Sequence, residues 1–165
     1  MATKLKLPAI DPANVSPVTG SRYPEPFKSR VSARRKQRLG DALGLKNYGV
    51  NLTTIPPGAV SALRHWHSHE DEFVYVLEGE LVLVSDAGRE TVGPGTCIGF
   101  PAGTGDGHHF VNLTDKSAAF IVVGDRSADD VVAYPDIDLE LRAGPDGVRV
   151  FCHKDGTPYP PAARD

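Results

Sequence analysis

Between Arg64 and Phe73 the chain reads RHWHSHEDEF, which sets three histidines (His65, His67, His69) and three acids (Glu70, Asp71, Glu72) directly before an apolar run. Residues two apart on an extended strand project from the same face, so His65 and His67 are placed to grip a metal ion from one side. A pair of this kind does not complete a site; a third nitrogen and an oxygen must come from neighbouring strands. Glu72 opens the next apolar strand, after a polar turn over residues 68–71 that folds it back toward the histidines. His108 lies on a separate strand, behind the glycine-rich loop 101–107. Five of the six histidines fall in these two short clusters, a concentration that favours ligand chemistry over scattered surface residues.

The elements that must position these groups read as short strands. The chain has 17 glycines and 14 prolines, spread throughout, which suits many turns and leaves little room for long helices. Tyr48, Val50, Leu52 and Thr54 alternate with Gly49, Asn51 and Thr53 ahead of a Pro56-Pro57-Gly58 turn. EFVYVL (72–77), a Glu78-Gly79 turn and LVLV (81–84) carry a hairpin signature. CIGF (97–100), His108 to Leu113, Ala118 to Val123 and, in the tail, RVFCH (149–153) complete the strand signals. Short strands about every ten residues predict an antiparallel sandwich or barrel.

A chain of 165 residues with 40% apolar and 24% charged residues has the size and composition of one globular domain. A net charge of −3 argues against nucleic acid or an anionic membrane as the main partner. The one basic stretch, residues 28–38, reads as a solvated face or an anchor onto a partner subunit. Two cysteines, Cys97 and Cys152, make no disulfide framework and point to reduced thiols in a cytoplasmic protein. The first fifteen residues lack the apolar core of a signal peptide, and no apolar run approaches the roughly 20 residues of a membrane helix.

GAVSALRHWHSHEDEFVYVLEG (58–79) resembles the first cupin motif: His65-x-His67, four residues, Glu72, six residues, Gly79. GTCIGFPAGTGDGHHFVN (95–112) resembles the second, with Gly95, Pro101, Gly103, His108 and Asn112 in its places. The chain departs from the usual pattern in two gaps: Gly58 to His65 is one residue longer, and Gly103 to His108 is four residues rather than two. The pair of motifs resembles a small stand-alone bacterial cupin of the cupin-2 type, in the sugar-phosphate-isomerase-like group. The resemblance implies an all-β fold, an antiparallel double-stranded β-helix or jelly-roll barrel over 46–124, with an N-terminal arm (1–45) belonging to the same unit and a C-terminal tail (125–165) packing on the barrel or a partner subunit.

Carried over residue by residue, the resemblance makes His65, His67, Glu72 and His108 the ligands of one divalent metal ion. Three imidazoles and a carboxylate without thiolate suit Fe, Mn, Ni, Co or Zn and leave coordination positions free for a small-molecule ligand or substrate. His69 shares the parity of His65 and His67 but sits in the turn before Glu72, outside this set; His109 points to the face opposite His108 and replaces it only if the longer loop shifts the register by one. Glu70 and Asp71 read as solvated turn acids, Arg64 as a surface charge, Cys97 as a small core residue and Tyr48 as a half-buried core residue. Val74 and Val76 share parity with Glu72 and line the interior, Trp66 faces away from the metal, and Lys154 is a candidate lid. The functional expectation is a metal-dependent isomerase or dioxygenase acting on a small polar molecule. The alternative is a non-catalytic metal-dependent binding protein. Small cupins commonly pair, so a homodimer is expected. No catalytic residue beyond the metal set is named by the sequence.

Overall fold

The computed structural model describes residues 5–144 and 146–160. Its strands are β1 (Arg35–Arg38), β2 (Tyr48–Ile55), β3 (Trp66–His67), β4 (Glu72–Glu78), β5 (Leu81–Ser85), β6 (Gly88–Val92), β7 (Cys97–Phe100), β8 (His109–Val111), β9 (Ala118–Asp125), β10 (Val132–Tyr134), β11 (Leu139–Ala143) and β12 (Arg149–Cys152). One single-turn helix, α1 (Leu39–Ala42), follows β1.

The strands form two layers. One is the five-stranded antiparallel sheet β1-β2-β9-β4-β7; the other is built from β6-β5-β8 and β12-β11-β10-β3. Isolated antiparallel bridges Val60↔Val111 and His65↔His108 stitch these last two into one layer. This is the antiparallel jelly-roll that the motif pair implies. The core between the layers is made by alternate residues: Val74 and Val76 of β4, at most 1% exposed, pack with Leu81, Leu83, Phe110 and Phe120. The other face of β4 shows Phe73, Tyr75 and Leu77, each about two-fifths exposed.

The hairpin read from EFVYVL-EG-LVLV does not form. β4 pairs with β7 and β9, whereas β5 pairs with β6 and β8, so Glu78 to Glu80 carries the chain from one layer to the other. Gly79 makes this crossing at φ +72°, where a Cβ would lie 2.7 Å from the Ala118 Cα. Only a residue without a Cβ fits that approach. The short hairpin of this region is β5–β6, closed by Asp86 and Ala87.

The basic stretch is a solvated face only in part: Arg30, Arg35 and Arg38 are exposed, whereas Arg34 and Lys36 are partly buried. β1 (RKQR) pairs with β2 in the register Lys36↔Thr53 and Arg38↔Asn51, and the outward Gln37 donates to the carbonyls of Pro12 and Val15. Tyr23 and Val31, preceding β1, are buried in a second core with Leu63, Val132, Tyr134 and Leu139. Cys97 is exposed rather than in the core: it pairs with Tyr75 and shares the outward parity of that residue.

Candidate metal centre

The bridge His65↔His108 lies where the two parts of the second layer meet, and β3 continues from it to His67. From the opposite layer, Glu72 at the start of β4 points in on the parity of Val74. The structure therefore gathers His65, His67 and Glu72 so that one ligand atom of each lies within 4.8 Å of the others. His108 joins them through Nε2, 2.9 Å from the Glu72 Oε2. The imidazole of His108 stacks on Phe100 at 3.4 Å between ring centroids, and its Nδ1 is buried without a hydrogen-bond partner.

The protonation pattern follows from the surroundings. Nδ1 of His65 donates to the Leu63 carbonyl at 2.8 Å, and Nδ1 of His67 donates to Asp130 Oδ2 at 2.8 Å. Each donation fixes the tautomer that leaves an Nε2 lone pair; neither Nε2 has a hydrogen-bond partner among the described residues. Burial pushes the His65 pKa down to about 3, so the ring is neutral. Burial works to raise the Glu72 carboxyl, yet the hydrogen bond from His108 and the charges of the surrounding imidazoles together bring it down to about 2. The Nε2 lone pairs of His65 and His67 converge, with no donor to either among the described residues, on the Glu72 carboxylate, which accepts only from His108 Nε2. Convergent acceptors of this kind suit a divalent cation, so the residues present fit a metal ion.

Behind His67 stands an unforeseen group. Asp130 is fully buried and accepts from His67 Nδ1, from the His69 backbone N–H at 3.0 Å and from Arg149 Nη2 at 3.0 Å. Burial opposes its ionisation, but these hydrogen bonds and charges outweigh burial and hold its pKa below the usual carboxylate range. Glu70 is not a solvated turn acid: it pairs with Arg149 at 3.0 Å and accepts from the Ser127 N–H. His67, Glu70 and Asp130 are spaced closely enough for a second ion, but the Arg149 guanidinium already supplies the cation there. No sequence signal distinguishes Asp130 beyond an acid preceding the run VVAY; pairing of β10 with β3 (Val132↔His67) brings it into place.

The remaining candidates fall outside the cluster. His69 is exposed and contacts Ser68 Oγ; His109 points away, with Nδ1 on the Ala62 carbonyl at 3.1 Å. Asp71 is the turn acid, accepting from the Ala102 N–H. Arg64 is no free surface charge: it is clamped by Asp136, Asp86 and the Gly107 carbonyl. Tyr48 is 46% exposed and lies on an outer groove with Phe73 rather than in the core or the cavity. Lys154 reaches the Pro135 carbonyl and does not line the cavity.

A jelly-roll whose strand junction gathers three histidines and a glutamate defines the class, and the chain belongs to the cupin superfamily. The Cupin domain family matches residues 51–124. Over 93% of this chain and 97% of its own length, the structure of a cupin-superfamily sugar phosphate isomerase from Silicibacter pomeroyi is similar at 44% identity and TM-score 0.87. A structure from Acidithiobacillus ferrooxidans, named provisionally as a sugar phosphate isomerase, is similar at 32% identity over 80% of this chain and 81% of its own, with TM-score 0.67. The polyketide cyclase RemF from Streptomyces resistomycificus is similar at 26% identity over 71% and 78%, with TM-score 0.60. No protein of curated function matches the chain.

Proposed function

We propose that the chain is a divalent-metal-dependent isomerase acting on a small, polar, sugar-like substrate, with His65, His67, Glu72 and His108 holding one metal ion. The carrying observation is the convergence of the His65 and His67 lone pairs on the ionised Glu72. Two similar structures named as sugar phosphate isomerases support the choice of isomerisation over dioxygenase chemistry. When bound, the ion would polarise a substrate carbonyl or hydroxyl as a Lewis acid. The protein's own part is to orient the imidazoles through Leu63 and Asp130 and to exclude water on the side walled by Val74, Phe110 and Phe120.

The test combines elemental analysis of untagged protein with aldose–ketose interconversion assays on sugar phosphates. One equivalent of metal, and turnover lost in His67→Ala, is the expected result. Metal binding without turnover on any sugar would favour a binding protein, and absence of metal uptake would end the metal reading.

The protein is further proposed to be a cytoplasmic homodimer. An exposed free thiol at Cys97 suits a reducing compartment. The row Phe73, Tyr75 and Leu77 gives the outer sheet face an apolar surface of the kind that partner subunits cover. No helix among the described residues is long and apolar enough to cross a membrane.

A further inference from the structure

Arg34, Lys36 and Arg38 stand two residues apart along β1 and its entry, and all three line the cavity that contains the histidine–glutamate cluster. Their cross-strand neighbours Thr53 and Asn51 line the same cavity. Directly opposed residues of an antiparallel pair share a face, and Gln37 pins the other face of β1 to the Pro12 and Val15 carbonyls. Arg34 and Lys36 are thus held partly buried toward the cavity, while Arg38 stays at its exposed rim beside Asp41.

Two groups in this row are left incomplete. Lys36 is half-buried; its backbone pairs with Val18, but its Nζ has no hydrogen-bond or ion-pair partner among the described residues. Opposite it, Thr53 is 2% exposed and its Oγ1 is buried without a partner. Nearby acids are already engaged: Glu72 with His108, Glu70 with Arg149, Asp41 with Arg126. Burial pushes the Lys36 ammonium down to about 8, and the neighbouring charge of Arg34 adds to this. Arg34 spends one N–H on the Ser61 carbonyl and keeps others for a ligand. A buried hydroxyl left without a partner is costly, and so is a partly buried ammonium without one. An incoming oxyanion would satisfy both at once, with charge-assisted bonds.

We propose that Lys36, Arg34 and the Thr53 hydroxyl form an oxyanion-holding subsite, which takes the phosphate or carboxylate group of the small molecule whose other end reaches His65, His67 and Glu72. The second half of this statement rests on the metal-dependent function proposed above; the subsite itself does not. It divides recognition between a charge-reading end on β1 and a coordinating end on β3 and β4. The substrate class that follows is a short polar molecule with an anionic group at one end and a carbonyl or hydroxyl at the other.

The test is titration calorimetry of the full-length, chelator-treated protein with inorganic phosphate and, separately, with succinate, at ionic strength held constant by chloride. Saturable one-site binding of at least one probe is expected, and which probe binds tells a phosphoryl from a carboxylate substrate. Lys36→Met should weaken that binding about tenfold or more, the loss of one charge-assisted hydrogen bond, while Lys36→Arg stays within about threefold. Thr53→Val should weaken it while raising the melting temperature, because it removes an unsatisfied buried hydroxyl; a hydroxyl with only a structural role would lower the melting temperature instead. Absence of saturable binding by both probes, or unchanged binding in Lys36→Met, overturns the subsite. His67→Ala separates the two readings: anion binding that survives in it supports the subsite whatever becomes of metal binding.

Discussion

Asp130 and His67 lie 63 positions apart in sequence and 2.8 Å apart in the fold, carboxylate to imidazole Nδ1. The contact commits the Nδ1 proton to the carboxylate and turns Nε2 toward Glu72. Asp130→Asn preserves shape but removes the charge that fixes this tautomer. Metal affinity should fall about 10- to 100-fold, the usual consequence of losing a carboxylate behind a ligating histidine. Competition against a chromophoric chelator would measure it, with Asp129→Asn, at an exposed neighbour, as the unaffected control.

Metal should be part of the stability of the native state. An ion that binds only the folded chain, at 100 times its Kd, adds about 2.7 kcal/mol. Removing it with excess chelator should lower Tm, and readdition should restore it. His67→Ala should abolish the metal-dependent rise. A melting curve indifferent to chelator and metal would count against a bound ion.

The layer crossing at Gly79 makes a different kind of prediction. Gly79→Ala forces a Cβ onto the Ala118 backbone at a positive φ, and should cost about 2 kcal/mol or more, combining the left-handed penalty with the clash. Gly93→Ala, which meets nothing within 4 Å, should stay within about 0.5 kcal/mol of wild type. Denaturant midpoints would compare the two.

The apolar outer face bears on assembly. Size-exclusion chromatography with light scattering should give the mass of two chains for the wild type and one for Tyr75→Glu, which puts a charge in the middle of the Phe73–Leu77 row. A wild-type monomer would remove the dimer altogether.

Much of this architecture is legible in the sequence because it depends on parity. The alternation of Glu72, Val74 and Val76 against Phe73, Tyr75 and Leu77 already separates inside from outside, and the His65-x-His67 spacing puts two imidazoles on one face. Parity says nothing about which strand lies alongside which. A turn such as Glu78-Gly79 serves a hairpin or a layer crossing equally well, and the choice is made by packing against Ala118 far along the chain. Asp130 and Arg149 escape notice for the same reason: Asp130 reaches His67, and Arg149 reaches Asp130, only through the pairing of β10 with β3 and of β11 with β12. β1 is missed because RKQR has no apolar residue to mark an inner face; its inner face is the polar cavity itself.

The position of β1 has one more effect. In the five-stranded sheet it occupies one edge and β7 the other. The charged β1 edge is already covered at Lys36, whose backbone N–H and carbonyl pair with Val18 of the preceding arm, whereas CIGF has neither charge nor such a cover among the described residues. Within this sheet, then, growth by strand addition is open at one end only. Two copies meeting through β7 would use up both open ends, and the assembly would close at two rather than lengthen into a fibre.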